Sequence, residues 1–111
     1  MNGELLRGAV WRIRSPRDGQ GHEQRGPRYA VIVQSNDLWL STALVAPTST
    51  SARPANYRPE VTVRGQQTFV LVDQMRAVGT EKGLDTQVGM LSLDDMRQVD
   101  QALRIALDLY R

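Results

Sequence analysis

Glycine, proline and polar clusters cut residues 7–78 into apolar segments of strand length, and helical spacing is confined to the residues after Ser92. A chain punctuated in this way buries its apolar side chains mainly by pairing short strands. Residues 7–14 alternate after Gly8, with Ala9, Trp11 and Ile13 on one face and Arg12 and Arg14 on the other. Residues 28–35 read as a buried strand and Asn36-Asp37 as a turn. Residues 38–46 read as the returning strand, which Pro47 ends because proline cannot donate to a continuing ladder. Residues 59–64 alternate with Val61 and Val63 inward, Gly65-Gln66-Gln67 is a turn, and residues 68–72 form another buried strand. Residues 75–78 extend the sheet after a bend.

The tail follows a different period. Ser92 is an N-cap residue with Asp95 three positions on, and Asp94 and Asp95 suit the positive end of a helix. Met96, Val99, Leu103, Ala106 and Tyr110 then recur at helical spacing, with Ile105, Leu107 and Leu109 widening the stripe, so this helix packs on the sheet or on a partner. The expected fold is mainly β: five to six short antiparallel strands in a strongly bent sheet or small barrel, with a C-terminal amphipathic helix. At 111 residues, 1–111 reads as a single domain.

Several classes of function are excluded. Without cysteine there is no disulfide scaffold or thiolate metal site, which fits a reducing cytoplasm. No N-terminal segment reads as a signal peptide and no apolar run spans a membrane. His22 is the only histidine, so one chain cannot supply a two-histidine ribonuclease site, and no His/Asp/Glu spacing suits a metal. No cofactor fingerprint occurs. The net charge is +2 but uneven: residues 1–64 hold nine Arg against five acids, and residues 65–111 hold five bases against seven acids. Only Lys82 among the 14 bases is not arginine. Guanidinium forks suit phosphate, so the basic half is compatible with nucleic acid; genome composition is an alternative source of the arginines.

A turn near residues 36–38 sets Arg28 across from Pro47 and gathers two polar loops at one rim of the sheet. Residues 15–27 bring His22, Glu23, Arg25 and Arg28, and residues 47–59 bring Thr48, Ser49, Thr50, Ser51 and Arg53. Guanidinium groups beside several hydroxyls can cradle a phosphate. The plainer alternative is that the hydroxyls solvate a loop and Arg28 closes a strand.

At this point the chain resembles the MazF/PemK toxins. The opening Arg7-Gly8-Ala9-Val10-Trp11, the segment Glu23-Gln24-Arg25-Gly26-Pro27-Arg28 with its apolar continuation to Gln34, Val45-Ala46-Pro47-Thr48-Ser49-Thr50, and Val72-Asp73-Gln74-Met75-Arg76-Ala77-Val78 are similar to family blocks, in family order. So are residues 89–91 and 100–107. The resemblance implies an SH3-like barrel of the MazF/CcdB type, a homodimer, and metal-independent, sequence-selective cleavage of single-stranded RNA leaving 2′,3′-cyclic phosphate and 5′-hydroxyl ends. It implies no cofactor, and a cognate antitoxin that covers the RNA groove. Carried over by position, the catalytic arginine falls on Arg28 and the catalytic threonine on Ser49. Glu23, Gln24, Arg25, Tyr29, Thr48, Thr50, Gln74 and Arg76 become RNA-binding residues. Ala9 stands where the family usually has an acid, Tyr29 where it has proline, and Thr48 where leucine is common.

In such a site Arg28 stabilises charge on the phosphate and Ser49 donates a hydrogen bond to it; the base is Glu23 or a second guanidinium. Tyr29 and Tyr57 are aromatic faces on which unpaired bases can stack, whereas Trp11 and Trp39 read as core or dimer residues. The long loop of residues 15–27 shapes the site. A gyrase-directed toxin of the same fold and a non-catalytic SH3-like binding module are the alternatives.

Overall fold

The computed structural model describes residues 5–14 and 28–110. His22, Glu23, Gln24 and Arg25, with the rest of the loop at 15–27, lie outside the described residues. Among those described are seven antiparallel strands, a short 3-10 turn and one α-helix: β1 (Ala9–Ile13), β2 (Arg28–Ile32), β3 (Thr42–Ser49), β4 (Glu60–Val63), β5 (Gln66–Val70), the turn Val72–Gln74, β6 (Arg76–Gly79), β7 (Leu84–Met90) and α1 (Leu93–Leu107). The sheet runs β4-β5-β3-β2-β1-β7, and β6 pairs with β3 off this path. It is the curled, mainly β arrangement with a terminal helix that the sequence leads one to expect. Among the described residues no helix is long and apolar enough to cross a membrane.

Strand alternation feeds two apolar clusters, one on each face. Val10, Val31, Ala46, Val61, Val70 and Val72 join Val99 and Ala102 of α1 in one. Ala9, Ile13, Ala30, Ile32, Ala43, Val45 and Leu84 form the other, with Trp11 packed against it. β2 is buried on both faces, which is why it reads as a continuous apolar run. The helix is tied down at its start. Ser92 Oγ accepts from the Asp95 N–H at 3.0 Å. Asp95 Oδ2 accepts from the Thr62 N–H at 3.0 Å, so the acid that could have closed a capping box instead satisfies a donor on the edge strand β4. Arg7 adds an ion pair to Asp100 at 2.7 Å. Gly8 carries the chain into β1 at φ +95°, a conformation costly for any residue with a Cβ; its N–H bonds to Ile32 O and its carbonyl to Leu91 N.

Four details depart from the sequence reading. First, β3 starts at Thr42, and Leu38, Trp39 and Leu40 form an exposed loop in which Trp39 is 79% accessible. Trp39 is thus no part of the protomer's core, whereas Trp11 is half-buried. Second, Pro47 does not end the strand. A residue in an antiparallel strand points its N–H and C=O to the same side. The Pro47 carbonyl accepts from Leu71 N at 2.8 Å, so the missing N–H falls on that side, where β3 changes partner from β6 (up to Val45) to β5 (from Thr48). The ladder has a gap there, and proline costs it nothing. Third, the β4–β5 turn is Arg64-Gly65, one residue earlier than expected, with Val63 paired to Gln66. Fourth, β7 is a strand that the apolar pattern does not announce: Leu84 is its only buried residue.

The helix stripe is likewise only partly covered. Val99 and Ala102 are buried, while Ala106, Leu107, Leu109 and Tyr110 are exposed.

Candidate functional site

The β2–β3 hairpin fixes the site. Its observed register pairs Ala30 with Pro47, Val31 with Ala46 and Ile32 with Val45. Two residues further along each strand, this register brings Arg28 level with Ser49, not with Pro47. The shift follows from the longer connection, since β2 ends at Ile32 and β3 begins only at Thr42. Arg28 and Ser49 therefore belong to the same cross-strand position at the rim, on one face of the sheet.

Around them lies a groove of about 740 Å³, lined by Arg28, Tyr29, Thr48, Ser49, Thr50, Ser51, Val63, Arg64, Gln66, Thr68 and Leu71. Two guanidinium groups and five aliphatic hydroxyls line one space, and no carboxylate is among the described lining residues. Among the described residues neither Arg28 nor Arg64 has a carboxylate partner, whereas Arg7, Arg12, Arg14, Arg58 and Arg97 all do. The electrostatic consequence is a positive concavity with hydrogen-bond donors, which is what a phosphate needs.

The hydroxyls differ in how they are held. Thr48 Oγ1 donates to the Tyr29 carbonyl across the hairpin at 3.2 Å, so its proton is spent on the scaffold. Ser49 Oγ accepts from the Ser51 N–H at 3.2 Å and lies 3.4 Å from Ser51 Oγ. That bond orients Ser49 through an acceptor lone pair and leaves its proton able to turn toward a ligand. Thr50 and Ser51 are exposed at the start of the following loop.

That loop is anchored further on. Arg58 grips Asp73 of the 3-10 turn with two bonds, Nε to Oδ1 at 3.1 Å and Nη2 to Oδ2 at 2.9 Å, and its guanidinium carbon sits 5.6 Å from the centroid of the Tyr57 ring. The hydrogen bond from Arg58 is the main reason the Asp73 carboxyl is held below the usual carboxylate range, with partial burial opposing it. The same pairing raises Arg58.

The groove thus brings together Arg28, Tyr29, Thr48, Ser49 and Thr50. Gln74 and Arg76 are exposed in the 3-10 turn and at the start of β6, and neither lines it. Tyr57 also lies outside it, beside Val72, Met75 and Leu107. Arg64, Gln66 and Thr68 are lining residues that sequence reasoning missed. The Arg64-Gly65 pair between two alternating strands marks a two-residue hairpin, but nothing in the sequence says that its tip lines the groove. Among the described residues no three His, Cys, Asp or Glu side chains gather closely enough to hold a metal ion.

Residues 6–107 match the family described as "PemK-like, MazF-like toxin of type II toxin-antitoxin system". The chain is 43% identical over 105 residues to a Mycobacterium tuberculosis protein named "Putative toxin Rv3098A", covering 95% of this chain and 99% of that protein. Solved structures share the fold at lower identity. An endoribonuclease in complex with its cognate antitoxin, from a mycobacterial species, aligns with a TM-score of 0.76 at 21% identity over 96% of this chain and 97% of that one. The Mycobacterium tuberculosis toxin MazF-mt6 gives 0.71 at 18% identity, over 90% and 96% of the two chains. MazF of Deinococcus radiodurans, in its complex with MazE, gives 0.72 at 23% identity, over 97% and 99%. With the family match running from the lead-in to β1 through the end of α1, this chain belongs to the PemK-like, MazF-like toxins of type II toxin-antitoxin systems.

Proposed function

We propose that the chain is a metal-independent endoribonuclease that cuts single-stranded RNA within a short recognition sequence. The observation that carries this reading is that Arg28 and Ser49 line one groove together with Arg64, with no carboxylate among its described lining residues. The RNA 2′-oxygen attacks its own phosphorus, and the bond from phosphorus to the 5′-oxygen breaks. The 2′-hydroxyl proton passes to a base, and the leaving 5′-oxygen takes up a proton. The products carry a 2′,3′-cyclic phosphate and a 5′-hydroxyl. Arg28 binds the phosphate, stabilises the charge that grows on its oxygens, and supplies the proton to the leaving oxygen. A guanidinium holds its proton tightly, which makes it a poor base and a good charge stabiliser. Ser49 donates to a non-bridging oxygen. The base is Glu23, or a second guanidinium that neighbouring cations hold in its neutral form. Tyr29 offers an aromatic face to an unpaired base at the groove wall, and Thr50 a further donor.

The same reading makes the protein a homodimeric cytoplasmic toxin, held inactive by an antitoxin that covers the groove. Membership of the family supports the antitoxin, and structural relatives include toxins solved in complex with theirs.

Purified chain incubated with mixed-sequence RNA in EDTA, with product 5′ ends mapped, tests the reading. Discrete cuts with 5′-hydroxyl ends, absent for Arg28→Ala, are expected. Intact RNA at high concentrations of folded, antitoxin-free chain overturns it in favour of a gyrase-directed toxin or a binding module.

A further inference from the structure

Arg64 occupies the first of two turn positions between Val63 and Gln66, at φ 54°, with Gly65 at φ 79°. A two-residue hairpin whose central residues both have positive φ favours Asn or Asp followed by Gly. A side chain with a Cβ is strained in this left-handed region. The turn tolerates that strain where the β4–β5 hairpin meets the groove. The guanidinium there has no carboxylate partner among the described residues and shares the groove with Arg28 and Ser49. The nearest acidic residue in sequence, Glu60, lies at the far end of β4, paired with Phe69. Gln66 and Thr68, on the strand that leaves the turn, extend the same wall with uncharged donors.

A single-stranded nucleic acid crossing the rim presents phosphates in succession, and Arg28 can hold only one of them. From the position of Arg64 in the lining of the same groove, on a different hairpin from Arg28, we infer that the groove has a second phosphate subsite, in which Arg64 grips a neighbouring, non-reacting phosphate of the same strand. This inference rests on the RNA reading above. Binding energy from such a remote phosphate fixes the register of the strand, so that the scissile group meets Arg28 and Ser49. The β4–β5 hairpin is then the strand-positioning arm of the site.

The experiment is binding of a 2′-O-methyl single strand, which cannot be cleaved, across a series of salt concentrations. Arg64→Gly is the main variant, because glycine relieves the turn and keeps it folded. Its affinity should fall roughly ten-fold, and the slope of log affinity against log salt should shrink by about 0.7, the value of one lost phosphate contact on a single strand. Arg64→Lys should recover the slope and part of the affinity. Arg97→Ala, which removes an arginine paired to Asp94 on the exposed side of α1, should leave the slope alone. With natural RNA, the loss for Arg64→Gly should fall mainly on KM. A wild type that cleaves RNA alongside an Arg64→Gly variant with unchanged affinity and slope overturns the subsite and leaves the ribonuclease reading standing. An equal slope loss for Arg97→Ala also overturns it, because net charge alone would then explain the effect. A wild type that neither cleaves nor binds RNA removes the reading on which the subsite rests.

Discussion

Adjacent hydroxyls at the rim offer a sharp test, because a one-residue error in assigning the reactive group would still land on an oxygen. Thr48 and Ser49 are neighbours on β3, yet their protons have different fates: Thr48 spends its own on the Tyr29 carbonyl, and Ser49 is held through an accepted bond. Thr48→Val removes one part-buried hydrogen bond at constant shape, a loss of about 1 kcal/mol. With an unfolding entropy near 2.1 cal/mol/K per residue, a chain of this length loses roughly 0.23 kcal/mol per degree at its midpoint, so Tm should fall by about 4 °C. Its cleavage rate should stay within a few-fold of wild type. Ser49→Ala removes an exposed contact and should shift Tm by less than about 2 °C. It also removes a donor to the charge-bearing phosphate oxygen, which is worth roughly 3 kcal/mol in the transition state, so kcat should drop by ~10²–10³. Ser49→Thr keeps the oxygen in place and should retain activity within a few-fold. Single-turnover cleavage of one mapped site, paired with thermal melts of each variant, reads both axes. A Thr48→Val enzyme that slows as much as Ser49→Ala at unchanged Tm would refute the assignment of roles.

Other consequences can be measured alongside. Asp73 is held below the usual carboxylate range by Arg58, so its contribution to stability is complete above that range and is lost as pH falls through its lower folded value. Denaturant midpoints between pH 7 and about 2 should therefore fall less steeply at the acid end for Asp73→Asn than for wild type. In Gly83→Ala the new Cβ would lie 2.8 Å from the Gly79 carbonyl and 3.0 Å from Val78 Cβ, and the Gly83 N–H to Gly79 O bond that closes the β6–β7 turn would have to give. A loss of ~1–3 kcal/mol is expected by urea unfolding. Val99→Ala empties part of a side chain with no accessible surface between α1 and the sheet, and should cost ~2–3 kcal/mol in the same assay. Ser92→Ala, which loses only the cap bond to Asp95 N, should cost about 1 kcal/mol.

Local chemistry made much of this molecule readable before its structure. The alternation in β1 and β4, the buried run of β2, the glycine of the β4–β5 turn and the capped helix each follow from residues a few positions apart. What escaped depends on partners distant in the chain. Pro47 reads as a stop until it is known that β3 exchanges β6 for β5 at that residue. Leu38, Trp39 and Leu40 look like the start of a strand, but among the described residues no strand pairs with them. β7 is an outer strand whose one buried side chain is Leu84, so it shows no period. At the site, Arg28 and the hydroxyls of residues 48–51 were legible together because one hairpin joins them. Their register was off by two because the length of the connection was misjudged. Arg64 was not legible as a lining residue, because its nearness to Arg28 comes from the bend of the sheet.

The pairing of β1 with β7, from Ala9 opposite Met90 to Ile13 opposite Leu84, has a bearing on when the molecule becomes dangerous to the cell that makes it. Strands that meet only across most of the chain form late, and during synthesis the early one waits for the late one. Until β7 and α1 have left the ribosome, β1 is paired on one side only, and Val61, Val70 and Val72 lack the cover of Val99 and Ala102. The hydroxyl-bearing rim is built early in the chain but stands on a scaffold completed at its far end. The scaffold of this toxin is therefore complete only once the last helix has emerged.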